Sequence, residues 1–233
     1  MIIITGDIHS RKERFSEVFI EEEPSLTEDD YVIVCGDFGF IFFNNEPEGI
    51  IVDETTKLAL DELGRKPYNI LFVDGNHENF HALNKYPEEL WNGGRIHRIR
   101  KNIIHLMRGQ VFTIENKTFF TLGGAYSIDR DVRALNYSYW EEEIPSKEEA
   151  KEGRMNLERY NNKVDYILTH QAPPDIITEI FHESIGETEL DFLGALKKIS
   201  DEITFDRWYF GHWHADRNLG RYRALYFDYD ILD

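Results

Sequence analysis

Cysteine is almost missing from this chain: among 233 residues only Cys35 carries a thiol. An internal disulfide framework is therefore excluded, and so is a thiolate-rich zinc site. The lone cysteine fits a reducing compartment. It ends the apolar run Tyr31-Val32-Ile33-Val34-Cys35 and reads as a buried strand residue rather than a nucleophile. Long hydrophobic runs are missing too. No stretch approaches the roughly 20 apolar residues of a membrane span, and no basic, then apolar, then small-residue leader precedes Thr5. A cytoplasmic location without membrane attachment is the expectation. Basic charge is scarce: 26 Lys and Arg stand against 44 Asp and Glu, a net charge of −18. Such a chain repels polyanions at long range, which disfavours nucleic-acid partners, although bound metal ions would reverse the field locally.

What the chain does have is apolar substance: 41% hydrophobic and 14% aromatic residues, enough for a packed core. Short β-branched or aromatic runs recur at Ile2–Thr5, Tyr31–Cys35, Asn69–Val73, Tyr166–Thr169 and Trp208–Phe210, each meeting a polar or glycine-containing turn. Continuous runs of this length suit strands buried on both faces. Helical patterns between them, over Ser10–Glu23, Asp53–Gly64 and Glu187–Ile199, give the strand–helix alternation of an α/β fold. Gln110–Ile114 and Lys117–Leu122 around Glu115-Asn116 read as a hairpin, and Arg223–Tyr229 as a closing strand. The charged, aromatic-rich stretch 129–162 reads as a loop-plus-helix excursion that shapes a substrate site rather than as a domain.

Five polar motifs follow the strand-like runs: Gly6-Asp7-Ile8-His9, Gly36-Asp37-Phe38-Gly39, Gly75-Asn76-His77-Glu78, Thr169-His170 and Gly211-His212-Trp213-His214. They hold five of the nine histidines, together with two Asp and one Asn, ligand types suited to paired divalent metals. In an extended backbone Asp7 and His9 would point to one side, as would His212 and His214. The glycines before Asp7, Asp37, Asn76 and His212 would let the chain turn sharply. Because the first motif opens the chain and the last lies near its end, a shared site requires both ends to fold together. A single domain over 1–233 is expected.

In wording and order these motifs resemble the calcineurin-like metallophosphoesterase superfamily, from Gly6 to His214. The resemblance implies a four-layer αββα sandwich of two mixed β-sheets flanked by helices. It implies two divalent or mixed-valence metal ions, manganese or iron by preference, with zinc or nickel as alternatives. Asp7, His9, Asp37 and His214 would hold one ion. Asp37, Asn76, His170 and His212 would hold the other, with Asp37 bridging. The implied reaction is attack on phosphorus by a hydroxide shared between the ions, without a phospho-enzyme, and His77 matches the catalytic histidine. The substrate would be a phosphorylated small molecule or nucleotide, as a monoester or a diester.

Departures from the pattern narrow this. The Ser/Thr protein phosphatases carry an Asp-Arg pair three and four residues beyond the bridging aspartate, where this chain has Phe40 and Ile41. Asp74 stands where they have arginine. The same substitutions argue against the bacterial diadenosine polyphosphate hydrolases. The competing reading is a non-catalytic metal-binding scaffold or interaction module on the same fold, which would be expected to lose ligands or the catalytic histidine; here every position is filled.

Other residues keep two readings. Arg130 and Arg133 either clamp a phosphate or form a surface network with neighbouring acids. Tyr126, Tyr137, Tyr139 and Trp140 either stack on an aromatic leaving group or pack their own loop. Asp74 either orients His77 or sits in solvent, and Glu78 supports a neighbouring group. His81, His97, His105 and His182 have no chemical role in view.

Overall fold

The computed structural model describes residues 1–19, 21–42, 54–183 and 187–232. Strands β1 (Ile2–Thr5), β2 (Tyr31–Cys35) and β3 (Asn69–Val73) run parallel and are buried along nearly their whole length. Their side chains nevertheless divide by parity. Ile3, Val32, Val34, Ile70 and Phe72 pack outward against Phe15, Phe19, Leu60 and Leu63, whereas Ile2, Ile4, Ile33, Leu71 and Val73 pack inward against a second sheet. Both parities are covered, so the sequence shows unbroken apolar runs instead of alternation.

The first sheet is completed by β4 (Glu88–Trp91), β5 (Gly94–Arg100), β6 (Ile103–Leu106) and, from the chain end, β13 (Asp230–Leu232), in the order β13-β1-β2-β3-β6-β5-β4. The second contains β7 (Gln110–Ile114), β8 (Lys117–Leu122), β9 (Tyr166–Thr169), β10 (Arg207–Phe210), β11 (Arg217–Leu219) and β12 (Tyr222–Ala224), in the order β11-β12-β10-β9-β8-β7. Both sheets mix parallel and antiparallel pairs. Phe112, Ile114, Phe119, Leu168 and Tyr209 fill the space between them.

Helices α1 (Arg14–Glu17) and α2 (Glu54–Leu63) cover the first sheet, while α3 (Phe80–Leu83) follows β3. Helices α4 (Lys147–Arg159), α5 (Pro174–Phe181) and α6 (Leu190–Glu202) cover the second through Leu157, Ile176, Phe192 and Leu196. The result is the expected four-layer sandwich. Helix α4 starts at a reciprocal cap: Ser146 Oγ accepts from Glu149 N–H, and the Glu149 carboxylate accepts from Ser146 N–H. Among the described residues no helix is long and apolar enough to cross a membrane.

Three expectations change. The helix over 10–23 shrinks to α1 plus turns, because His9 and Ser10 adopt left-handed φ of +50° and +60° and the helix begins only at Arg14. The helix expected over 187–199 runs instead over Leu190–Glu202, after a short 3-10 turn at Glu187–Glu189, while Asp53, where another helix was expected to begin, lies outside the described residues. The closing strand over 223–229 breaks after Ala224. There the Asp216 carboxylate accepts backbone N–H groups from Tyr226, Phe227 and Asp228 at 2.7, 3.1 and 3.0 Å, turning the chain out of the second sheet. It then joins the first as β13, antiparallel to β1. The hairpin β4–β5 was not foreseen, although Asn92-Gly93, with φ of +49° and +99°, is a recognisable turn signal.

Candidate metal centre

The five motifs leave the C-terminal ends of β1, β2, β3, β9 and β10, three strands from one sheet and two from the other. Parallel strands present their loops at a common edge, so the sandwich gathers all five motifs. Backbone bonds stitch the loops together: His9 N–H donates to Asp37 O at 2.8 Å, and Gly211 N–H to His170 O at 3.1 Å. Side chains add to this. Asp37 Oδ1 accepts from His77 N–H at 2.8 Å, and the Asp7 carboxylate accepts from His212 N–H at 3.0 and 3.1 Å.

The extended pairing expected for Asp7 with His9 and for His212 with His214 gives way to a different device. Asp7, His9, Asp37, His212 and His214 all have positive φ, between +46° and +68°. Left-handed backbone at non-glycine residues costs about 1–3 kcal/mol each and persists where surrounding structure enforces it. Here it turns each side chain back toward the cluster. The glycines also act differently from expectation. Among those preceding Asp7, Asp37, Asn76 and His212, only Gly36 has a left-handed φ, +89°. A Cβ at Gly75 would fall on the Asp37 carboxylate and one at Gly211 on that of Asp7. Their absent side chains make room for the acids.

Two donor clusters result. Asp7, His9, Asp37 and His214 bring their ligand atoms within 4.8 Å of one another. His9 Nε2 and His214 Nε2 lie 2.8 Å apart, near the roughly 3 Å between adjacent ligands on one ion with bonds of about 2.1 Å. In the second cluster Asn76 Oδ1 lies 3.1 Å from both His170 Nε2 and His212 Nδ1. Asp37 faces both: Oδ2 is 3.5 Å from His9 Nε2 and Oδ1 is 3.3 Å from His170 Nε2. The site is graded in depth, with Asp7, Asp37, Asn76 and His170 buried, His9 and His212 half-buried and His214 exposed.

Supporting groups fix which atoms face inward. His170 Nδ1–H donates to Cys35 O at 2.9 Å, which aims Nε2 into the site. Asn76 Nδ2–H donates to Ser127 Oγ at 3.0 Å, so Oδ1 faces the histidines. Ser127 Oγ in turn donates to the buried Glu143 at 3.0 Å. Glu78 clasps two loops, accepting from Gly39 N–H at 3.0 Å and Gly75 N–H at 2.7 Å. The buried Arg14 guanidinium donates to Asp7 O and Tyr226 O, and the Tyr226 ring stacks on His214 at 4.6 Å. No sequence pattern marks Arg14, Ser127 or Glu143 for these tasks.

The electrostatics suit cations. Burial, with Asp37 beside it, pushes the Asp7 carboxyl up. Burial pushes His9 down to about 4 and His212 down to about 3. Burial would also lower His170, but the Asp37 carboxylate at its Nε2 holds it up to about 10. Two buried carboxylates among imidazoles thus lean on protons where divalent ions would satisfy them better. The donor set fits a pair of metals.

His77 lies beside this cluster, its ring edge-on to His9 at 4.9 Å, and Arg133 Nη2 lies 3.1 Å from its Nε2. Arg133 also pairs with Asp129 at 2.8 Å. Together with Asp37, Asn76, Ile128, His212 and His214 they line a cavity of about 430 Å³. Arg130 is placed elsewhere: it pairs with Glu143 at 2.7 Å, sandwiched by Tyr126 and Tyr139, and does not line the cavity. Trp140 is buried edge-on to Phe42, whereas Tyr137 is exposed. Asp74 is buried, its carboxylate taken by Arg108 and His105 rather than by solvent.

Comparison with known proteins adds to this geometry. The family model for calcineurin-like phosphoesterases matches residues 1–216. No curated protein gives a significant match. Among solved structures, one described as "Putative 5'-Nucleotidase from Staphylococcus aureus in complex with alpha-ketoglutarate" aligns at 14% identity with a TM-score of 0.48. The alignment covers 97% of this chain and 48% of that one, so this chain spans about half of its length.

Proposed function

This chain belongs to the calcineurin-like phosphoesterase family, and from that premise we propose that it hydrolyses a phosphate ester at a two-metal centre bridged by Asp37. The observation that carries this reading is the divided Asp37 carboxylate, one oxygen toward His9 and the other toward His170. Asp7, His9, Asp37 and His214 would hold one ion, and Asp37, Asn76, His170 and His212 the other. Manganese or iron suits this mixture of imidazole, carboxylate and amide, as do zinc and nickel. When bound, the ions supply a water of lowered pKa and a clamp on the phosphoryl oxygens.

The protein's own groups do the rest. Neutral Asn76, in place of a third carboxylate, leaves the centre with net positive charge for an incoming phosphate. Arg133 donates to a phosphoryl oxygen across the cavity, turning from His77 as it does so. His77 then faces the leaving oxygen and supplies the hydrogen bond or proton that it needs. The whole of 1–233 acts as one domain, with the 129–162 segment shaping the entrance through Asp129 and Arg133. The substrate is a phosphorylated small molecule or nucleotide, monoester or diester. Metal-stripped protein refilled with manganese tests this against p-nitrophenyl phosphate and bis-p-nitrophenyl phosphate, with His77→Ala as the blank. Metal-dependent turnover supports the enzyme, and the preferred ester separates the two classes. No turnover of either with metals bound would favour the non-catalytic module.

A further inference from the structure

His97 on β5 and His105 on β6 are directly opposed in the sheet and both buried, with rings stacked at 5.3 Å and their Nδ1 atoms 3.1 Å apart. The other nitrogen of His105 lies 3.1 Å from Asp74 Oδ1. Arg108 holds the second Asp74 oxygen, with Nε at 2.8 Å and Nη2 at 2.6 Å. A guanidinium only donates, so Asp74 accepts on that side as a carboxylate, sharing its cation with Glu149, which Arg108 Nη1 reaches at 3.3 Å. With one proton on each imidazole, Asp74 Oδ1 accepts from His105 Nε2–H, which leaves His105 Nδ1 as an acceptor. His97 Nδ1 must donate to it, and His97 Nε2 keeps a bare lone pair. Burial pushes His97 down to about 4, in keeping with a neutral ring.

That lone pair meets no partner among the described residues. His97 lines a cavity of about 340 Å³ that shares no lining residue with the metal-centre cavity. Its walls include Phe80, Leu83 and Ile144, and exposed Glu141 and Glu142 stand at its mouth. The lining also holds Asp74, Arg108 and Glu149, so four acids, with Glu141 and Glu142, outnumber the one guanidinium around the apolar walls, which selects for charge and for shape. We propose that this cavity binds a small organic cation with an apolar body, an amidinium or alkylammonium group donating N–H to His97 Nε2. The chain's net charge of −18 favours the same sign of ligand.

The probe is benzamidinium, titrated into the full chain by calorimetry with benzoate and benzyl alcohol as controls. Saturable one-to-one binding of benzamidinium alone is expected, weakened about tenfold in His97→Phe, which keeps the ring and loses the acceptor. Glu141→Gln with Glu142→Gln, both at the exposed mouth, should weaken it about two- to fivefold. Absence of binding, equal binding of benzoate, or full affinity in His97→Phe would overturn the proposal. A long-range proton–nitrogen NMR correlation on the wild type decides independently of any variant's folding. The proton belongs on His97 Nδ1, and a proton found on Nε2 removes the acceptor and the proposal with it.

Discussion

Ser127 takes the amide N–H of Asn76 at 3.0 Å and so decides which end of that amide faces His170 and His212. Without Ser127 the amide is free to rotate and present its NH₂, which cannot bind a cation. Ser127→Ala should lower metal affinity by about 10–100-fold while the fold persists, as loss of a ligand's orienting partner commonly does. Competition with a metallochromic chelator measures this, and unchanged affinity would remove Ser127 from the site's support.

The two arginines of the 129–162 segment should separate cleanly. Arg133→Met is expected to raise KM about tenfold with little change in melting temperature, because it removes a cation from the cavity and spares the core. Arg130→Met leaves the buried Glu143 without its cation, with only Ser127 still donating to it, and should cost about 3 kcal/mol of stability. Kinetics and thermal unfolding on both variants check the division; matching phenotypes would contradict it.

His77→Ala should retain its metal content and lose about 10²–10⁴ in kcat, most for esters with poor leaving groups. Elemental analysis alongside a leaving-group series tests both halves. A variant that sheds metal would make His77 a ligand.

Stability should carry the signature of His97. Its folded value is pushed down to about 4 from an ordinary 6.5, so below about pH 6.5 the unfolded chain binds a proton that the folded chain refuses. This contribution is lost as pH falls from about 6.5 to about 4 and changes no further below that. The urea midpoint of the wild type should therefore fall more between pH 7 and pH 4.5 than that of His97→Phe. Parallel losses would contradict a neutral buried His97.

The sequence made the framework and the clustering of the candidate ligands legible for one reason: β1, β2, β3, β9 and β10 are buried on both faces, and each ends at a polar motif. Apolar runs and ligand types both survive as local patterns. What was not legible is non-local. Asp74, Arg108, His105 and His97 look like unrelated polar residues until β5 and β6 bring them together. Asp216 ends a strand by bonding backbone about ten residues ahead, which no window around Ala224 reveals. Arg130 and Arg133, three positions apart, differ only in what the fold sets beside them. The hairpin at Asn92-Gly93 is the exception, since its turn residues were present to be read.

The most direct test of the two-metal account is a manganese titration of metal-stripped protein, read by elemental analysis and electron paramagnetic resonance, beside Asp37→Asn. The account predicts two ions per chain with spin-coupled signals in the wild type, and loss of both the coupling and tight binding at each position in the variant. A single uncoupled ion in the wild type, or two coupled ions surviving Asp37→Asn, would contradict it.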